Sequence, residues 1–280
     1  MRHSGKISIF WLLLCTAPLQ AQESMEALER HPYMTSKVWI DLGAYYPDRT
    51  LKASIDGSIS GEHESIDFER AFGLNDQDGI GSGEIGWQFG EKWGLSAQYF
   101  ASERTSSRVI DKKIEWGDIV YDVGASVKGG SELDITRFVM YRRFRQRGPH
   151  DLRLAAGIHW LEMGAFIEGQ AQIDDMETEF KRGAIAAKVP LPNVGAWYRY
   201  SPNENWVFSL RGDWLEASVG EYRGRILNAL IGVNFSPNKN FGIGINYQYL
   251  QLAASIKNDT WRGDVKMSYA GPYANLSAYF

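Results

Sequence analysis

Chemistry in this chain of 280 residues would begin with its five histidines, His3, His31, His63, His150 and His159. One stands in a pattern that can activate a hydroxyl, His63-Glu64-Ser65. A serine is a weak nucleophile until a neighbouring base takes its proton, and on a strand an imidazole two residues away shares the serine's face. The reaction would be acyl transfer on a lipid ester or a peptide. Yet the match is three residues long and sits in an acidic stretch with no alternation before Ile66, where a chance tripeptide in a polar loop is the simpler reading. His159 lies between apolar Ile158 and Trp160, on the face that carries Arg153. It could titrate near neutrality, but no nucleophile is spaced to match it. An enzyme is therefore not expected.

Oxygen-rich loops are the other source of chemistry. Asp174, Asp175, Glu177 and Glu179 form one cluster, and Glu62, Glu64, Asp67, Glu69, Asp76 and Asp78 another. Asp76-Gln77-Asp78-Gly79 begins like a calcium loop, but Trp87 stands where the bidentate Glu would be needed. Solvated acidic loops account for both clusters, so neither a metal nor a cofactor is expected. Cys15 is the single cysteine, which leaves no disulfide framework and no thiolate metal site.

The elements that would position these residues are strands. Counting back from the end, Phe280, Ala278, Leu276 and Ala274 share one face, and Tyr279, Ser277, Asn275 and Tyr273 the other. That period of two marks a strand with one lipid-compatible face, the form expected of the closing strand of a transmembrane β-barrel. The same alternation recurs in Val38 to Tyr46, in Ile85 to Phe89, in Trp93 to Tyr99, and in three segments beginning at Trp206, Leu227 and Phe241. Short turns at Gly90 to Lys92, Arg145 to His150, Ser201 to Asn205 and Pro237 to Asn240 fall on the side where Phe280 ends. No apolar run reaches about eighteen residues, so no helix spans a membrane. The 13% aromatic content, with 10 Trp and 14 Tyr, suits a barrel with aromatic girdles. The reading is an all-β, antiparallel transmembrane barrel of about ten strands, with eight and twelve as alternatives because Pro190 and Pro192 interrupt one segment and Thr50 to Asp67 has room for another hairpin. A soluble sandwich would put its apolar face inward; here the apolar face is the one rich in Trp, Tyr and Phe.

Residues 1–21 read as a signal peptide, with basic Arg2 and Lys6, an apolar Ile7 to Cys15 and a cleavage site at Leu19-Gln20-Ala21. Leu14 before Cys15 argues against lipidation. Residues 22–35 form a polar periplasmic lead-in, with a helical turn around Met25 to Glu29, and residues 36–280 the barrel in the cell outer membrane. Cleavage shifts the net charge from −4 to −6, since Arg2 and Lys6 leave and no acid does. That balance excludes a nucleic-acid partner. The expected partners are outer-membrane lipid and lipopolysaccharide and the barrel assembly machinery, with the protein a monomer.

Ten strands enclose little beyond their own inward side chains. The inward set is mixed in sign, Asp41, Glu84 and Asp213 against Arg153, Arg199 and Arg211, with His159, Trp39, Tyr45 and Trp197 among them. Opposite charges in so confined a space should pair. This gives a narrow or occluded lumen with a structural or small-solute role. The alternatives are an enzyme acting on lipid through His63 and Ser65 or on peptide, and an adhesin using the acidic loops. Arg142 and Arg143 are consecutive and cannot both face inward.

Ile66-Asp67-Phe68-Glu69-Arg70-Ala71-Phe72-Gly73-Leu74, followed by Asn75-Asp76, resembles a recurrent element of a family of uncharacterised proteobacterial outer-membrane β-barrel proteins. The resemblance continues through Trp87-Gln88-Phe89, Leu95 to Phe100, Gly117 to Tyr121, Leu133-Asp134-Ile135-Thr136 and Tyr269 to Tyr273. It implies a barrel without an assigned activity. The terminal Phe280 likewise resembles the assembly signal of outer-membrane proteins. The Asp-x-His of omptin proteases is absent from the sequence.

Overall fold

The computed structural model describes residues 30–56, 66–74, 79–116, 119–173, 177–219, 222–257 and 262–280. The signal peptide and the helical turn expected around Met25 lie outside them, as do His63 and Ser65. The strands are β1 (Val38–Tyr45), β2 (Asp48–Asp56), β3 (Ile66–Asp67), β4 (Ile80–Phe89), β5 (Trp93–Val109), β6 (Ile114–Trp116), β7 (Ile119–Tyr121), β8 (Ser126–Arg147), β9 (His150–Ile173), β10 (Glu177–Tyr200), β11 (Trp206–Val219), β12 (Tyr222–Phe235), β13 (Phe241–Lys257) and β14 (Arg262–Tyr279). Two short helices accompany them, α1 (Pro32–Thr35) and α2 (Phe68–Phe72).

Every strand pairing is antiparallel, and the sheet closes on itself because β1 pairs with both β4 and β14. The ring runs β1, β4, β5, β8 to β14 and back to β1, which is ten strands. Past Pro47, β2 continues the first strand alongside β14. The exposed apolar band includes Leu42, Ile85, Phe138, Ile158, Leu210, Ile245 and Leu276. Trp93, Trp206, Phe235 and Phe241 edge it at the short-turn end, and Tyr99, Trp160 and Trp214 at the other. Closure leaves no strand edge in the hydrocarbon, as a transmembrane sheet requires.

Pro190 and Pro192 do not interrupt β10. Ser201 donates its backbone N–H to Pro149 O on the β9 side, so alternation turns even-numbered positions such as 190 and 192 toward β11. The β10–β11 ladder ends at the Val194–Trp214 pair. The missing donors therefore face a seam where no ladder exists.

Inside, the barrel is stratified. The long-loop half is apolar, with Leu133, Ile135, Leu161, Met163, Ile226, Leu252 and Met267 buried. Two insertions close it. The first is α2, capped by Asp67, whose carboxylate accepts from the Arg70 N–H at 3.1 Å, and ended by Gly73 in the left-handed region at φ 68°; such a terminus favours glycine. Its Phe68 and Phe72 are buried, and a Cβ added at Gly129 would come within 2.5 Å of the Phe72 ring. The second insertion is the β6–β7 hairpin, whose Trp116 meets Phe68 edge-on at 5.6 Å. Residues 66–74, read above as a family resemblance and, at Asp67 and Glu69, as part of a solvated acidic loop, thus form a stopper in which Asp67 caps the helix and Glu69 pairs with Arg104.

Candidate functional site in the barrel interior

The middle layer is polar and centres on Asp213 of β11. Both carboxylate oxygens accept from Arg137 Nη2 at 3.0 Å, and further donors are Trp197 Nε1 at 3.2 Å, Arg211 Nε at 3.1 Å and Asn228 Nδ2 at 3.1 Å. Arg211 also reaches Glu84 at 3.3 Å. The guanidinium groups of Arg137 and Arg211 lie 5.6 and 4.5 Å from the Trp197 ring centroid, positions in which the ring's electron-rich face attracts a cation.

The seven interior residues singled out in the sequence all have buried or half-buried side chains on inward-facing positions, but they fall into separate groups. Asp213, Arg211 and Glu84 form the first. Among the described residues, Asp41 forms no ion pair: it accepts from Tyr33 Oη at 2.7 Å and from Ser277 Oγ, and it stands directly opposite Glu84. Asn246 and Asn275 continue that chain of hydrogen bonds along β14 to Ser277. Arg153 pairs with Asp151 at 2.7 Å, and Arg143 joins the same carboxylate at 3.2 Å. Arg199 lies 3.9 Å above the Tyr33 ring and donates to Tyr33 O at 3.1 Å. His159 is buried directly opposite Arg137 of β8 and one diagonal step from Asn193 on β10, at the edge of the Asp213 group.

Arg137 and Asp151 went unnoticed in the sequence. Arg137 shares its parity with Val139 and Tyr141, which are buried, whereas Phe138 and Met140 are exposed. The Arg142-Arg143 doublet hid that face. A β-bulge between Arg143 and Arg145 follows it, with Arg142 outside over Trp93 at 5.5 Å and Arg143 inside.

The short-turn end is closed by the lead-in itself. His31 sits at the N-cap of α1 and is fully buried. Its backbone N–H donates to Ser201 Oγ at 2.9 Å, and its Nδ1 accepts from the Tyr33 N–H at 3.1 Å. Because Nδ1 is an acceptor, the neutral ring carries its proton on Nε2, which donates to Ser236 Oγ at 2.8 Å. Burial, reinforced by Arg199, lowers the His31 pKa to about 3. Met34 O accepts from Arg143 Nη2 at 3.0 Å, and Tyr33 packs on Trp39 and Tyr279 at 5.7 Å. Beneath the ring of Trp39 only glycine fits: a Cβ at Gly86 would lie 1.9 Å from it.

His31 and Ser236 superficially form a nucleophile–base pair, but the tautomer is the wrong one. A base must accept the serine proton on the nitrogen facing it, and here that nitrogen is the donor. Between the two stoppers lie a cavity of about 60 Å³ lined by Asp41, Glu84, Arg211, Asn246 and Gln248 and a second of about 30 Å³ against Tyr45 and His159, each with room for a few waters. Among the described residues, no group of His, Cys, Asp or Glu is arranged to hold a metal ion.

No family model matches the chain, and no curated protein matches it. Among solved structures, the outer membrane protease OmpT of Escherichia coli is similar over 87% of this chain and 96% of its own, at 11% identity and a TM-score of 0.54. The translocator domain of the autotransporter NalP of Neisseria meningitidis is similar over 88% of this chain and 89% of its own, at 9% identity and a TM-score of 0.38. The likeness to OmpT is one of architecture: this chain has the fold of an outer-membrane β-barrel.

Proposed function

We propose that this protein resides in the outer membrane, with the short turns and Phe280 in the periplasm, as an internally braced barrel that passes little or no solute. The observation that carries the reading is the Arg137–Asp213 ion pair, which spans the interior between strands separated by β9 and β10. Support comes from the stoppers at either end, α1 and α2, and from the size of the cavities between them. A role in envelope architecture fits this arrangement better than transport does. Planar-bilayer recording of the purified protein tests it: silence or rare small openings are expected, and large, steady conductance would refute it. We propose further that the protein is not a hydrolase. Turnover of phospholipid, lipid A or a dibasic peptide that disappears in His63→Ala or Ser65→Ala would overturn that reading.

A further inference from the structure

The barrel wall has an edge that closure does not remove. The β10–β11 ladder stops at the Val194–Trp214 pair, and in that register β11, which ends at Val219, would reach only position 189. Phe180 to Lys188 therefore runs past its neighbour, paired with β9 on one side and, among the described residues, with no strand on the other. The free N–H and C=O groups belong to even-numbered positions, Arg182, Ala184, Ala186 and Lys188 among them. An unpaired row of this kind is a template for another strand. The edge is firmly backed. Ile185 is buried behind it, Trp116 leaves no room for a Cβ at Gly183, and Tyr121 Oη donates to Ile167 O at 2.9 Å while lying 3.3 Å from Lys181 O. Trp160 of the outer girdle pairs with Pro190, and neither Pro190 nor Pro192 offers a donor. The template thus begins where the strand leaves the membrane and runs away from the short turns.

The side chains along the edge define what fits it. Arg182, Ala184, Ala186 and Lys188 share the outer face and are all exposed. On β9 the residues directly opposite them are Glu168, Phe166, Gly164 and Glu162. Glu168 pairs with Arg182 at 3.4 Å and Glu162 with Lys188 at 2.7 Å. The β9 strand is therefore a partner this surface already accepts, and on the open side the same two cations and two alanines face empty positions. We propose that the free edge of β10 captures an extended polypeptide segment, added antiparallel, with acids six residues apart and apolar residues between them on the same face. Backbone hydrogen bonds supply its affinity, and the acids fix its register. A second copy of the chain does not meet this geometry, because copies inserted alike in one membrane bring their β10 strands together crossed at twice the strand tilt. That the edge lies outside the cell rests on the outer-membrane reading.

Fluorescence anisotropy decides it, with the full chain in lipid nanodiscs and a capped, labelled peptide, Glu-Thr-Ala-Thr-Phe-Thr-Glu, that copies the outward order of β9. Saturable binding is expected. Methylating the peptide's third and fifth backbone nitrogens, which face β10 in an antiparallel pair, should abolish it. Methylating the second and fourth should not. A peptide ending in lysines should bind the wild type weakly, and Arg182→Glu with Lys188→Glu should exchange the two preferences by about tenfold, as two opposite-charge cross-strand pairs become like-charged. Ala186→Pro has the parity of the native Pro190 and Pro192, so it should remove binding and still fold, as checked by heat-modifiable migration. Should it fail to fold, the methylated peptides and the charge exchange decide alone. No binding, equal binding of the two methylated peptides, or an unchanged preference in the double Glu variant would overturn the site. So would dimers of the full chain that Ala186→Pro dissociates, which would give the edge to a second copy. Failure of the outer-membrane reading would show separately, as wild-type protein in another cell fraction.

Discussion

Arg137 and Asp213 meet across the barrel interior at 3.0 Å with side chains 2% and 0% exposed, although two strands separate theirs in the wall. The pair is a strut rather than a cross-strand contact. Removing one partner of a buried ion pair leaves an uncompensated charge and costs about 3–5 kcal/mol. Asp213→Ala strands Arg137, Trp197 and Asn228 together. Arg211→Ala leaves Asp213 its bond to Arg137 and frees only Glu84. Urea unfolding in lipid vesicles should therefore rank the losses Asp213→Ala first, Arg137→Ala next and Arg211→Ala last; an Arg211 loss equal to that of Asp213 would contradict the strut.

The second prediction concerns the α2 stopper. Glu69 accepts from the Leu51 N–H at 2.6 Å and pairs with Arg104 at 2.9 Å, and Phe72 occupies the space that glycine leaves at position 129. Gly129→Val should expel Phe72 and strip residues 66–74 of hydrogen-exchange protection. The bilayer should stay silent all the same, because the Asp213 layer closes the barrel below. Steady conductance in this variant would show that α2 alone holds the barrel shut.

The strands and their faces were legible in the sequence because a transmembrane strand must alternate with a period of two. The apolar half of the interior was not, because polarity inverts beyond the membrane: on β8, Leu133 and Ile135 point inward while Glu132 and Asp134 point out. One alternation therefore changes meaning along a single strand. The α1 stopper was invisible for another reason. Its contacts are long-range, His31 reaching Ser201 and Ser236, and nothing local encodes them. Asp41 was legible as an inward acid, but its partners, a tyrosine of the lead-in and a serine of β14, carry no charge that pairing by sign could find.

Docking of α1 should depend on pH. The docked His31 holds its pKa near 3 against an ordinary 6.5, chiefly through burial, so the undocked segment takes up a proton first. Docking is complete above about pH 6.5 and weakens as pH falls toward 3, by up to about 1.4 kcal/mol per unit. Hydrogen exchange of Met34 and Ser36, corrected for intrinsic rates, should accelerate between pH 7 and pH 5. The His31→Gln variant should show no such change. PH-independent protection in the wild type would mean that His31 stays docked when charged.

The last prediction separates two roles for Phe280. Its backbone seals the barrel: Phe280 O accepts from the Lys37 and Val38 N–H groups at 2.9 and 3.0 Å, and its N–H donates to Val38 O at 2.8 Å. Its ring touches none of this and lies 66% exposed on the lipid face. Phe280→Ala keeps the backbone bonds, so it should refold in vitro nearly as well as the wild type. Deleting Phe280 removes the residue at the seam and should slow refolding and lower stability even in pure lipid. In cells, Phe280→Ala should still accumulate poorly if the ring is read by the assembly machinery. Normal cellular assembly of Phe280→Ala, with a defect confined to the deletion, would assign the terminal residue to the seam alone.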